Sequence, residues 1–451
     1  MKILLLITVV VVSLVSPAFS QGSDAALRRA IDEDAAARAN GKLPLIPAPD
    51  HLSRADVYMA NRMFPQAREH WQAILENYPQ DPGMSRALFG HGRSYMWERE
   101  YSKAVEWFDR LLKEFPFTKD GREGLAFKGA SLVRLGKNVD AAKTYEQYTV
   151  MFPAGEKIES AHLNIIDAYR EAGRYDDANL WVNKTVSKFV GKPTAVNALQ
   201  ARVRMEIYRE NWNAAIAAAD SLLAVSSFAR SMTSSDEAKY LKALALERSG
   251  RRPDANAVYS SIGASQTSYY GGLAQEKLSR PSSTASEALV REYPVMFRTE
   301  VLKQARKHKV DPRFMLAIMK QESSFRTNAK SPAGARGLLQ FVFDTAIKYN
   351  KKAGYTDLHP DDLYRPEVNI ALGAVYIGEL KDEFDGLYEA IAASYNGGED
   401  NAARWLNRSR PKEPGIFAAE VGFAETKSYV FKVMNNYRIY RQLYSEDLQR
   451  K

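Results

Sequence analysis

Glu322 is the carboxylate in this chain best placed to do chemistry. Asp311-Pro312 reads as a helix start, an N-cap acid followed by proline at the first helical position. From there Met315, Ile318, Met319 and Glu322 recur at steps of three and four residues. That spacing places Glu322 on the same helix face as three large apolar side chains. A carboxyl on an apolar face resists ionisation, so its pKa should rise toward the range where it can donate a proton. The plainer alternative is that Glu322 ends a buried face beside a helix terminus, and the helix alone leaves both open. Ser323-Ser324-Phe325 leaves the helix, residues 331–337 (SPAGARG) read as a loop, and Leu338-Leu339-Gln340 opens a new apolar segment.

These residues carry a resemblance. Glu322-Ser323, Ser331-Pro332, Gly334-Ala335 and Gly337-Leu338-Leu339-Gln340 are similar to the core of the lytic murein transglycosylases. Ser394-Tyr395-Asn396-Gly397-Gly398 resembles the family's AYNAG motif, and Glu425-Thr426 with Tyr429-Val430 its late ET…YV motif. Tyr293-Pro294, leading into a helix over 301–308, resembles the entry to the same domain. The ordered motifs cover the last third of the chain. The upstream helical repeats resemble the soluble branch of the family more loosely.

Glycosidases usually employ two carboxylates. The acids downstream of Glu322 offer no clear second one: Asp344 and Asp357 carry no partner motif, and Asp361 and Asp362 read as caps in a polar turn. Glu425 remains, distant in sequence, so the residues alone leave one-acid and two-acid mechanisms open. The resemblance implies one. Glu322 would protonate the bond between N-acetylmuramic acid and N-acetylglucosamine, then act as base on the muramic 6-hydroxyl, which closes a 1,6-anhydro ring. An intramolecular nucleophile gains from proximity and needs no second enzyme carboxylate.

The same resemblance implies substrate-binding roles for Gln340, Tyr395, Asn396 and Glu425. It implies supporting roles for Ser323 and Ser331 behind the site and for Tyr429 packed beneath Glu425. Taken without it, Gln340 is an ordinary polar residue at a helix start, Gly397-Gly398 is a helix C-cap, and Glu425 is a solvated acid. The sequence departs from the family pattern at Leu339, at Phe341-Val342-Phe343, at Ser394 and Gly397, at Glu399-Asp400 and at Arg365. Val342 stands where a methionine normally packs against sugar. Trp405 follows at helical spacing and is expected in the core.

The elements that must position these residues begin far upstream. The chain has 451 residues, room for two or three domains, and a net charge of +9, which suits a polyanionic partner without choosing one. The absence of cysteine removes disulfides, thiolate sites and a lipoprotein anchor. The six histidines show no ligand spacing, so no metal or other cofactor is expected. Lys2, an apolar run over 3–15 and Ala18-Phe19-Ser20 read as a secretory signal peptide over 1–20. An uncleaved anchor is the alternative.

After an N-terminal helix and linker (21–51), a repeat begins. Ala67…Trp71…Tyr78-Pro79, Ala104…Phe108…Phe115-Pro116 and Ala141…Tyr145…Phe152-Pro153 recur, with alanines 37 residues apart. Ala178…Val182…Phe189, Ala215…Leu222 and Asp254-Ala255…Tyr259 continue the pattern. Each unit reads as helix, turn, helix, with turns at Arg99-Glu100, Gly136-Lys137, Gly173-Arg174, Glu210-Asn211 and Gly250-Arg251. This period is close to the tetratricopeptide one and predicts a solenoid over 52–275. The solenoid serves either as a binding surface or as a scaffold that shapes access. A linker over 276–292 and a lysozyme-like domain over 293–451 complete the plan.

The expected protein is therefore mainly α, exported and periplasmic, a tetratricopeptide-like solenoid followed by a lysozyme-like, α-rich catalytic domain. The expected activity is non-hydrolytic cleavage of peptidoglycan glycan strands, with Glu322 as acid and base. The alternatives are a peptidoglycan-hydrolysing muramidase and a non-catalytic glycan-binding or interaction protein. The solenoid could hold a protein partner. No nucleic acid is expected, nor a stable membrane anchor after signal cleavage, and the chain is expected to be a monomer.

Overall fold

In the repeat region, six helices among the described residues are each stopped by one left-handed residue, and a second helix packs against each. The stops are Arg62, Arg99, Gly136, Gly173, Glu210 and Gly250, all with positive φ. At each, the following backbone N–H reaches back to a carbonyl five residues earlier: Met63 to Tyr58, Glu100 to Tyr95, Lys137 to Leu132, Arg174 to Tyr169, Asn211 to Glu206 and Arg251 to Leu246, at 2.8–2.9 Å. This bond satisfies a carbonyl that the helix end would otherwise leave open.

The structure, a computed structural model, describes residues 17–38, 41–263, 268–280, 286–331 and 334–451. The expected signal peptide lies outside them up to residue 16, as do 281–285 of the expected linker and Pro332 of the loop. The chain divides into two compact units, the first ending at Lys188 and the second running from Phe189.

The first unit holds α1 (Pro17–Ala37) and four hairpins. These are α2 (Ala48–Ala60) with α3 (Phe64–Asn77), α4 (Met84–Trp97) with α5 (Tyr101–Glu114), α6 (Lys119–Arg134) with α7 (Asn138–Met151), and α8 (Ile158–Glu171) with α9 (Tyr175–Lys188). The repeat alanines Ala67, Ala104, Ala141 and Ala178 are fully buried. Glycines bring the helices closer still. A Cβ on Gly90 would lie 2.3 Å from the Trp71 ring, and one on Gly92 2.5 Å from Phe108. Each buried aromatic ring contributes about 1.5–3 kcal/mol relative to exposure. The histidines His51, His70, His91 and His162 are packed inside this unit; the ring of His91 stacks on Trp107 at 3.9 Å.

The second unit opens with two more hairpins, α10 (Pro193–Tyr208) with α11 (Trp212–Leu223) and α12 (Ser235–Arg248) with α13 (Arg252–Ser260), then α14 (Tyr269–Lys277). These pack in the same unit as the C-terminal helices. The expected linker contains a short helix, α15 (Glu287–Glu292), started by Ser286, whose hydroxyl accepts from Leu289 N–H. There follow α16 (Arg298–Lys307), α17 (Pro312–Ser323), α18 (Phe343–Ala353), a 3-10 turn (Pro360–Tyr364) and α19 (Pro366–Glu383). The chain ends with α20 (Tyr388–Gly397), α21 (Glu399–Asn407), α22 (Pro414–Glu420) and α23 (Ala424–Leu443). Among the described residues there are isolated β-bridges but no strands. No helix among them is long and apolar enough to cross a membrane.

Polar groups join the last repeats to the C-terminal helices. Lys427 Nζ pairs with Glu237 at 2.8 Å, Arg204 with Glu420 at 2.8 Å, and Tyr269 donates to Glu389 at 2.9 Å. All six residues are buried.

Candidate active site

Helix α17 starts as its sequence dictates. The Asp311 side chain accepts from Arg313 N–H at 2.8 Å, and Pro312 occupies the first turn. Residues 314–319 are fully buried, and the helix ends at Ser324 in the left-handed conformation. Glu322 emerges one residue before the helix end, half-buried, on the wall of a cavity of about 400 Å³. Its neighbours on that wall are Arg326, Asn328, Ala329, Lys330, Ser331 and Gln340.

Helix α23 packs against α17 and brings Tyr429 to the acid. The Tyr429 hydroxyl donates to Glu322 Oε1 at 2.5 Å. Burial raises the Glu322 carboxyl to about 7, against the opposing pull of the Tyr429 bond. The phenol is itself pushed well up, by burial and then by the neighbouring carboxylate, so it stays a donor. Tyr429 thus reaches Glu322 itself rather than serving only as packing beneath Glu425.

The loop after α17 is held from behind. Ser323 Oγ donates to Leu338 O at 2.8 Å. Ser331 N–H donates to Ala335 O at 2.9 Å, and Ser331 Oγ accepts from Ala335 N–H. Buried Asn369 does most. Its Oδ1 accepts from Leu339 N–H at 2.8 Å, while its Nδ2 donates to Leu363 O at 2.7 Å and Arg336 O at 3.0 Å. Gly337 makes this possible: its φ is +79°, and a Cβ there would strike Leu363 O at 2.1 Å.

Gln340 does not start a helix. It sits in a left-handed turn, φ 50°, with Nε2 donating to Gly337 O and Ala329 O, and α18 begins three residues later. The turn places its side chain on the cavity wall with Glu322. Tyr395 donates to Leu339 O at 2.6 Å, and its ring lies 5.4 Å from that of Tyr376, so its hydroxyl holds the loop rather than the acid. Asn396 Oδ1 accepts from Thr426 Oγ1 at 2.7 Å, tying the end of α20 to the start of α23. Glu425 lies exposed in the first turn of α23, one turn before Tyr429. Neither Asn396 nor Glu425 lines the cavity wall.

Among the departures, Val342 is 37% exposed, and Arg365 is an exposed N-cap paired with Glu367 at 2.8 Å. Trp405 is buried. Sequence reasoning did not single out Arg326 or Lys330, and it placed Asn369 in the segment Arg365-Pro366…Asn369-Ile370…Gly373, which resembles a family motif, without giving it a role. Asn369 did carry a signal: one polar residue inside the apolar run 368–372 must find bonds if that run is buried. Among the described residues no three acids or histidines cluster as a metal site.

Comparison with known proteins follows the same division. Residues 300–416 match the Transglycosylase SLT domain family, and 52–117 and 128–189 match the Tetratricopeptide repeat family. A putative soluble lytic murein transglycosylase of Haemophilus influenzae is 36% identical over 133 residues, 29% of this chain and 22% of that protein. The soluble lytic murein transglycosylase of Escherichia coli K12 is 33% identical over 132 residues, 28% of this chain and 20% of that protein. The match thus spans about a fifth of the length of these two curated relatives. Among solved structures, an inactive mutant of lytic transglycosylase Slt from Pseudomonas aeruginosa has a TM-score of 0.53 at 17% identity, covering 94% of this chain and 86% of that one. A 70-kDa soluble lytic transglycosylase in complex with bulgecin A has a TM-score of 0.52 at 16% identity, covering 95% and 86%. At these identities the likeness is one of fold. The chain carries a transglycosylase SLT domain preceded by tetratricopeptide repeats, in a fold shared with soluble lytic transglycosylases.

Proposed function

We propose that this chain cleaves peptidoglycan glycan strands without water, Glu322 serving first as acid and then as base. The observation that carries this reading is a cavity with one carboxyl, Glu322, raised to about 7 and held by Tyr429. A group near neutrality can both give and recover a proton. In the first step Glu322 protonates the glycosidic oxygen, and the bond from C1 of N-acetylmuramic acid to that oxygen breaks. In the second, the carboxylate takes the proton of the muramic 6-hydroxyl as O6 bonds to C1. The 1,6-anhydro ring closes and Glu322 ends protonated, as it began.

Tyr429 fixes the acid, Gln340 offers its amide oxygen to the cavity, and Glu425 and Asn396 would meet the strand further along. A single acid at the wall favours an internal nucleophile over the water that a second carboxylate would activate. The relatives named soluble lytic murein transglycosylase support the substrate class. The expected leader over 1–20 supports an exported, periplasmic protein.

The test is mass analysis of fragments released from purified peptidoglycan. Anhydromuramic ends are expected; reducing muramic ends would make the chain a hydrolase, and no release would leave a binding module. Glu322→Gln should cut release by about 10²- to 10⁴-fold while the chain stays folded. Because the protonated form begins the reaction, release should fall as pH rises through about 7.

A further inference from the structure

Glu322 shares its cavity with two cations, Arg326 and Lys330. Neither pairs with an acid among the described residues. Arg326 is anchored at its base, where Nε donates to Ser323 O at 3.0 Å, and both terminal nitrogens are left unpaired there. Lys330 is exposed and its ammonium has no partner among the described residues. The Glu322 carboxyl is held by Tyr429, with a hydrogen bond to that residue rather than to either cation. With Glu322 half-protonated near neutrality, the cavity carries a net positive charge and no second acid to balance it.

The sugar rings of peptidoglycan are uncharged, so this charge is of no use to the glycan backbone. Carboxylates reach such a strand only through the lactyl arm of muramic acid. They belong either to the peptide attached there or, once the peptide is removed, to the lactyl group itself. We infer that Arg326 and Lys330 receive a carboxylate borne on the muramic lactyl arm, and so select strands by the charge of that substituent. This rests on the reading of the site as a peptidoglycan-cleaving one. It assigns the two residues a specificity role, not a part in bond breaking. Charge-assisted bonds to a carboxylate are the stronger kind, and a guanidinium can make two in parallel.

The test compares three preparations of one peptidoglycan: intact, freed of peptide by an amidase, and with its carboxyls converted to amides. The natural chain should cleave intact strands with kcat/KM about 10-fold or more above amide-blocked strands, through KM rather than kcat. The double variant Arg326→Gln with Lys330→Gln should show no preference between those two. Retained activity on peptide-free strands assigns the lactyl carboxylate, and its loss assigns the peptide; either supports the inference. Equal kcat/KM of the natural chain on intact and blocked strands overturns it. So does a double variant that keeps the preference.

Binding of soluble strand fragments to Glu322→Gln, with and without the two cation substitutions, separates this inference from the functional reading. Charge-dependent binding by that variant, together with no release by the natural chain, would sink the reaction and keep the carboxylate site. Charge-independent binding alongside release would do the reverse, and failure of both would sink both.

Discussion

The same helical hairpin is used in two ways in this molecule. In the first unit, seams within and between hairpins are filled by volume, with Gly90 against Trp71 and Gly92 against Phe108. In the second, α10, α12 and α14 present Arg204, Glu237 and Tyr269 to Glu420, Lys427 and Glu389. Apolar seams are non-directional and tolerate small rotations at little cost. Buried ion pairs and hydrogen bonds lose much when misaligned, so they fix orientation more than they add stability. The difference falls where orientation matters: Lys427 lies two residues before Tyr429 on α23.

Breaking the polar seam should have the largest effect. Lys427→Met removes the counter-charge from Glu237, which among the described residues keeps Gln200 and Tyr270 as side-chain partners. A loss of about 3 kcal/mol is expected in urea unfolding, with much of it recovered in the double variant with Glu237→Gln. Full stability in the single variant would reduce the seam to ordinary packing. Breaking the apolar seam calls for volume instead. Gly92→Val drives a side chain into Phe108 and should cost up to about 3 kcal/mol; an unchanged midpoint would show that α4 and α5 have room to separate.

A third experiment uses pH. Burial raises the Glu389 carboxyl to about 6, with the Tyr269 bond opposing. The folded chain then holds a proton that the unfolded chain has released. Stability therefore falls as pH climbs from the unfolded carboxyl value to about 6, and is flat above it on this account. Glu389→Gln should remove that slope, on the order of 2 kcal/mol, when stability is measured from pH 4 to 8. Glu322 adds a slope of the same sign that persists in the variant.

Most of the hairpin plan was legible because it is local. Alanine and aromatic positions repeat, and the turn residues at 99, 136, 173, 210 and 250 stand where left-handed stops occur. The start of α17 was legible for the same reason, through Asp311 and Pro312. The short α15 could have been read from Ser286, a cap at the head of an apolar run, but prolines and serines nearby suggested a linker. The partnership of Tyr429 with Glu322 spans 107 residues and leaves no periodic trace. The same holds for Lys427 and Glu237: a lysine and a glutamate on amphipathic helices look solvated until the fold buries them. The plain reading of Gln340, a polar residue at a helix start, fails because a left-handed glutamine has no local signature; Asn369 of α19 holds the neighbouring Leu339 and Arg336.

The bond from Tyr429 to Glu322 Oε1 also bears on timing. With one carboxyl oxygen already engaged, the acid has a single place at which to exchange a proton. Under the proposed reaction, the departing glycosidic oxygen and the incoming 6-hydroxyl must visit that one point in turn. The leaving sugar therefore has to clear the point before the ring can close, and the site acts as a turnstile that admits one oxygen at a time.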